Sequence, residues 1–367
     1  MVSDLTTVEE ELAQNENEAI SRSDSSASST RILLSKLLPW MYNESSLDIL
    51  GRQGRKALIH SVIQAVVIIP LLVVELVIVS VRVGPKLFKG SVYKRAGFIP
   101  LYAFVSICAQ MFVLGLSLEA AKYKNTIQVV FIAVFNIIHL LICALQTYEW
   151  KFFKSYLQDK GTPYAYLDIL PIMHTVNGLM VCFSIISCWN AHFIYREFTW
   201  CLFERNGASI SKKRILALFH AWSVLLKLCW FFNFTFVLQI MWGLILDKID
   251  KTNAPLLLHS TALWWTWSFI VFTTSVVFVY NGQKAMAQGW KGICIIMFSC
   301  LTLNSVLISL GVALVDQAMF MSIIYYVIFF AVVSVTLNTI ATIFGILCFI
   351  QIKNGLPILG IFSFLII

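Results

Sequence analysis

Four titratable side chains stand inside runs that are otherwise apolar: Lys227, Glu75, His139 and His174. A charge at the centre of a membrane-spanning helix costs roughly 2.5–3.5 kcal/mol on the insertion scale, so each needs a partner or a task. Lys227 follows Leu225-Leu226 and precedes Trp230, Phe231, Phe232, Phe234 and Phe236. A helix starting at Ile215 puts it about 18 Å deep, and one starting at Ala221 about 9 Å. In the shallow register its ammonium snorkels to the interface. In the deep one it must face the interior, as a substrate or gating group or as a structural lock. Trp230 and Phe231, three and four residues on, share its face and offer cation–π contacts, and His220 and Ser223 share it too.

Glu75, between Val74 and Leu76, reads either as a proton or cation site or as a protonated acid hydrogen-bonded to a neighbouring helix. Glu119 falls near a span end and reads as interfacial. His139 near Asn136, His174 near Asn177 and His192 near Asn190 form a scatter of polar groups. Intramembrane metal chemistry needs several ligands converging, commonly at i, i+3 or i+4, and the spans hold no HxxxH, HExxH or DxxD. Polar contacts between helices are the plainer account. With no GxSxG or Walker motif either, the sequence predicts no catalytic residue, no metal, no cofactor and no enzyme.

The elements that must position these groups are helices. The chain is 59% hydrophobic and 13% charged, with a mean hydropathy of +0.81. A soluble protein of 367 residues could not bury that much apolar surface, so the fold expected is all-α: a polytopic transmembrane helical bundle without a soluble domain. Eight spans are expected, near 58–83, 97–120, 127–148, 169–194, 217–246, 257–280, 291–315 and 318–349, the last two joined by a tight hairpin at Val315-Asp316-Gln317. Together they make a bundle over 51–353. Residues 1–50 read as a disordered acidic, Ser-rich tail with short apolar pieces suited to the membrane surface. Residues 354–367 form an apolar tail too short to span. No cleavable signal peptide is recognised, so the first span is expected to act as an uncleaved anchor.

The partner expected is the lipid bilayer. The net charge of +8 fits a positive cytosolic face, and no basic cluster with interleaved aromatics outside the spans suggests nucleic acid. Placing the N-terminus in the cytosol puts 16 Lys and Arg residues on the cytosolic side and 10 on the other, which favours cytosolic termini. The sequon Asn43-Glu44-Ser45 tests that orientation. Of nine cysteines, all but Cys201 lie in apolar runs and none forms a CxxC, so small-residue packing is expected of them. The abundant aromatics read as packing and interfacial belts, with a ligand cavity lined by Trp189, Trp264, Trp265 and Trp267 as the sharper alternative.

Three pieces in order carry a family resemblance: Tyr195-Arg196-Glu197-Phe198-Thr199-Trp200, then Phe203-Glu204-Arg205-Asn206-Gly207-Ala208-Ser209, then Leu225-Leu226-Lys227 with its aromatics up to Gln239. They resemble a family of fungal multi-spanning membrane proteins assigned to the Golgi apparatus, to which no activity is attached. The resemblance implies a Golgi membrane address and brings no site residue. Relatives carry glycine where Thr199 stands and an acid where Cys229 stands, which leaves Lys227 without an acid close in sequence. The functions left open are a transport or trafficking role, a receptor-like sensor and, disfavoured, an intramembrane enzyme.

Overall fold

The computed structural model describes residues 52–83, 99–123, 125–159, 163–206, 210–250, 266, 268–277, 282, 291–314 and 324–353. The chain divides into a unit ending at Arg55, of which only the first turn of α1 is described, and a unit from Lys56 onward that holds everything below. The expected tails, 1–50 and 354–367, and the hairpin at 315–317 lie outside the described residues.

The fold is all-α, a polytopic helical bundle. In chain order the helices are α1 (Arg52–Ile78, continued by a π turn, Val79–Val83), α2 (Ile99–Tyr123), α3 (Thr126–Asp159), α4 (Pro163–Asn206), α5 (Ile210–Asp250), α6 (Ser268–Val277), α7 (Lys291–Leu314) and α8 (Ile324–Lys353). Seven of them, all but α6, are long and apolar enough to cross a membrane, and they match seven of the expected spans. The eighth, 257–280, is described only at Thr266 and along the 10-residue α6.

Two expected loops are largely helix. The segment 195–216 continues α4 to Asn206 and re-enters helix at Ile210, and 149–168 continues α3 to Asp159 before Pro163 opens α4. Charge marks where the hydrocarbon ends. It does not end a helix: Arg, Glu and Lys are good helix formers, and neither Gly nor Pro falls between Glu149 and Asp159 or between Tyr195 and Asn206. At 44 and 41 residues, α4 and α5 run to about 60–66 Å, twice a hydrocarbon core.

The α2–α3 turn shows how local sequence sets this architecture. Asn125 Oδ1 accepts from the backbone N–H groups of Ile127 and Gln128, both at 3.2 Å, which makes it the N-cap of α3. Gln128, three residues on, returns to Asn125, accepting from its Nδ2 at 3.3 Å. The Asn125 N–H also closes α2 on Ala120 O at 3.1 Å. One residue thus ends one span and starts the next.

Helix α5 is the centre of the bundle: 72% of its spanning window is buried, against 28–56% for the other six. It packs on α2, α3 and α8, and α8 in turn packs on α7. The largest apolar core lies among α2, α3, α5 and α8, a second among α5, α7 and α8, and a third among α1, α3 and α4. The outward faces carry Ile63, Val66, Val73, Val77, Ile185, Ile295 and Ile296, all exposed. In water such faces would be a liability, but lipid is their solvent.

Candidate functional site

Lys227 is 13% exposed and reaches Glu119 of α2, Nζ to Oε1, at 2.5 Å. The acid missing from its own helix is thus supplied by another. Glu119, a third exposed, is also held through Oε2 by Gln128 Nε2 at 3.1 Å, while the same Gln128 nitrogen donates to Leu116 O. The spanning part of α5 begins at Ile215 and that of α2 ends at Lys122, so the two Cα atoms lie about 18 Å and 5 Å from these span ends. The lysine stem closes part of that gap, because side chains on a helix lean toward its N-terminus. The expected cation–π partners are taken. Trp230 stacks on Phe234 (5.8 Å, 10°), and Phe231 stacks on Phe112 (4.8 Å, 21°). His220 is buried within electrostatic reach of both members of the pair.

The N-terminal four helices share a continuous hydrogen-bonded chain. His60 Nε2 meets Ser187 Oγ at 3.0 Å, and Asn136 Nδ2 donates to that same hydroxyl at 2.7 Å. Gln64 Nε2 donates to Asn136 Oδ1 and Gln110 Oε1, both at 3.0 Å, and Gln110 Nε2 lies 3.0 Å from His139 Nδ1. Ser61 and Ser117 pair at 2.8 Å one turn away. His139 is fully buried in this chain, so it serves as interhelical polar contact, as expected. Its Nε2 has no partner.

Glu75 lies three turns along α1 from Gln64, beyond the apolar layer of Ile68, Leu72, Cys143 and Met180. Its side chain is 1% exposed, and Gln146 Nε2 donates to Oε1 at 2.7 Å. Asn177 of α4 bonds Thr147 of α3 at 2.7 Å beside it in sequence. His174 differs from expectation. It sits on the exposed face of α4, one turn from Asn177 but turned away from the helix interface, and so is not interior polar glue. His192 is exposed as well. Trp189 is 67% exposed and packs on Phe193 at 5.4 Å, so it belongs to the outer surface and lines no cavity; Trp264, Trp265 and Trp267 lie outside the described residues.

A second polar cluster ties the C-terminal helices. Asn233 Nδ2 of α5 donates to Ser275 Oγ of α6 at 3.1 Å and to Asn338 Oδ1 of α8 at 3.3 Å, and Asn338 returns a bond at 3.3 Å. Asn304 Nδ2 of α7 donates to Ser275 Oγ at 3.2 Å, and Asn304 Oδ1 accepts from Thr274 Oγ1 at 2.9 Å. All three asparagines are fully buried. Sequence reasoning passed over them, together with Gln64 and Gln110, because it weighted ionisable groups. A lone amide in an apolar run is also costly without a partner, and Ile63-Gln64-Ala65 or Leu303-Asn304-Ser305 carried that signal.

The four expected residues occupy four separate places. Lys227 sits in a joint between α2 and α5, His139 and Glu75 in two tiers of the N-terminal helices, and His174 on the outer surface. Among the described residues no three His, Cys, Asp or Glu side chains converge as metal ligands. Cys143, Cys229, Cys294 and Cys348 are buried in the apolar cores, as small-residue packing requires, and Cys108 and Cys300 are half-buried. Cys182 and Cys188 lie exposed on α4 and depart from that expectation. No protein-family model, curated protein or solved structure matches the chain.

Proposed function

We propose that this integral membrane protein works in the Golgi membrane in a transport or trafficking role, with both termini cytosolic and no enzymatic step. The address rests on the resemblance carried by residues 195–239. The transport reading rests on Glu75, a carboxyl group of α1 that is 1% exposed and accepts a hydrogen bond from the Gln146 amide of α3. An acid buried in a span is costly, and a charge-handling pathway gives it a task. The test combines microscopy of the tagged full-length chain against Golgi markers with proton-coupled flux into vesicles carrying wild type, Glu75→Gln or Lys227→Met. Flux lost in either variant supports transport, and flux unchanged in both rejects it.

The second reading is a receptor-like sensor, which the seven long apolar helices among the described residues also suit. Glycosylation mapping separates the two readings, because an even number of spans puts both termini on one side and an odd number puts them on opposite sides. A glycan on Asn43 would refute the cytosolic N-terminus.

A further inference from the structure

Among the described residues, Gln239 alone is fully buried with both its amide oxygen and its amide nitrogen unpartnered. Leaving a buried amide unanswered costs roughly 1–3 kcal/mol per group, and a bilayer offers no water to make up the loss. Buried polar groups of this kind are normally met by the protein or by a bound molecule.

Its position follows from helix register. Gln239 lies seven residues, two turns, beyond Phe232 on one stripe of α5. Phe232 packs on Phe135 of α3 at 5.9 Å and on Phe330 of α8 at 5.7 Å. Helices α5 and α8 run antiparallel: Trp222, early in α5, lies against Gly345, late in α8, whereas Phe232 meets Phe330. Two turns further along α5 therefore lead toward Tyr326, whose ring is 5.0 Å from Phe330 and 4.3 Å from Tyr102 of α2. Gln239 thus sits on the seam where the N-terminal helices α2 and α3 meet α5 and α8, level with an aromatic wall.

The chemistry of an occupant is constrained. The amide presents a donor and an acceptor side by side, and the groups placed around it carry no formal charge. A hydroxyl answers both. We propose that Gln239 anchors a buried seam site that binds the hydroxyl group of a neutral molecule, either a bound water or a small hydroxylated solute. The site follows from packing and hydrogen-bond satisfaction alone and needs neither the Golgi address nor a transport role.

The experiment uses the full chain in lipid nanodiscs, as wild type and as Gln239→Met, which keeps side-chain length and removes both polar atoms; Gln239→Leu is the second variant should Met prevent folding. Two readouts are taken. X-ray radiolytic labelling reports bound water through oxidation of the fully buried Phe236 and Tyr326. Thermal unfolding across glycerol and myo-inositol series reports solute binding through saturable stabilisation. Water in the site gives labelling in wild type that falls about 25-fold in the variant, the loss of two net hydrogen bonds of about 1 kcal/mol each, with no saturable solute effect. A solute in the site gives saturable stabilisation of wild type that the variant loses. Neither labelling nor saturable stabilisation in wild type, or either one unchanged in the variant, overturns the proposal.

Discussion

Removing the carboxylate of the Lys227–Glu119 pair should cost more than removing the ammonium. In Glu119→Gln the lysine stays 13% exposed inside the bundle with its counter-charge gone. Breaking a fully buried pair costs roughly 3–5 kcal/mol, and an exposed pair is worth roughly 0.2–1 kcal/mol. Glu119 is a third exposed and the lysine can retract toward the end of α5, so about 1–3 kcal/mol is expected. In Lys227→Met the remaining carboxylate still accepts from Gln128 and still touches solvent, so about 1 kcal/mol or less is expected. The double variant should resemble Lys227→Met, because without the cation the carboxylate has little left to do. The assay is reversible denaturant unfolding of the purified protein in mixed micelles, read as a double-mutant cycle with a coupling of about 1–3 kcal/mol, the cost of Glu119→Gln itself. A coupling near zero, or Lys227→Met costing more than Glu119→Gln, would refute the assignment of Glu119 as the group that stabilises the buried lysine.

Further outcomes follow from the same geometry. Asn233→Leu and Asn338→Leu should each destabilise by about 1–2 kcal/mol, and the double variant by clearly less than their sum, since the two share reciprocal bonds; the same unfolding assay reads this. Gly345→Ala should destabilise by about 1–3 kcal/mol, because its Cβ would meet the Phe298 ring, and Trp222 Nε1 at 2.7 Å. Gly178→Ala, with nothing within 4 Å, should be neutral or stabilising by up to about 1 kcal/mol, and equal melting shifts for the two glycines would contradict the packing described. His174→Ala should leave unfolding unchanged, whereas His139→Ala should lower stability by about 1–3 kcal/mol through the cavity and the unmet Gln110 amide.

The architecture was legible because hydrocarbon thickness writes itself into the sequence as uninterrupted apolar length. Positions such as Ile215 and Lys122 mark span ends through the charges beside them. Helix continuation past those ends was not legible from the same signal, since Lys212, Lys213 and Arg214 look alike in a loop and in a protruding helix. The cap at Asn125-Thr126-Ile127-Gln128 was written in the local spacing. The site was half legible. That Lys227 needs an acid follows from burial cost, but that the acid lies 108 residues earlier is a fact of helix packing that no local window contains. The outward turn of His174 was hidden for a related reason: in lipid both faces of a span are apolar, so the periodicity that separates inside from outside in water is weak.

The Gln128 bond to Glu119 has a consequence for biogenesis. Glu119 and Gln128 are nine residues apart, while Lys227 lies 108 residues beyond the acid. At about 5–20 residues per second, the carboxylate spends roughly 5–20 s in the nascent chain before its lysine has been made. During that time the α2–α3 hairpin can hold it through Gln128 and the Asn125 cap, both encoded locally. When α5 enters the membrane, its lysine arrives at a counter-ion already in place. Gln128 therefore matters most to the yield of correctly inserted protein and least to the melting of the finished one.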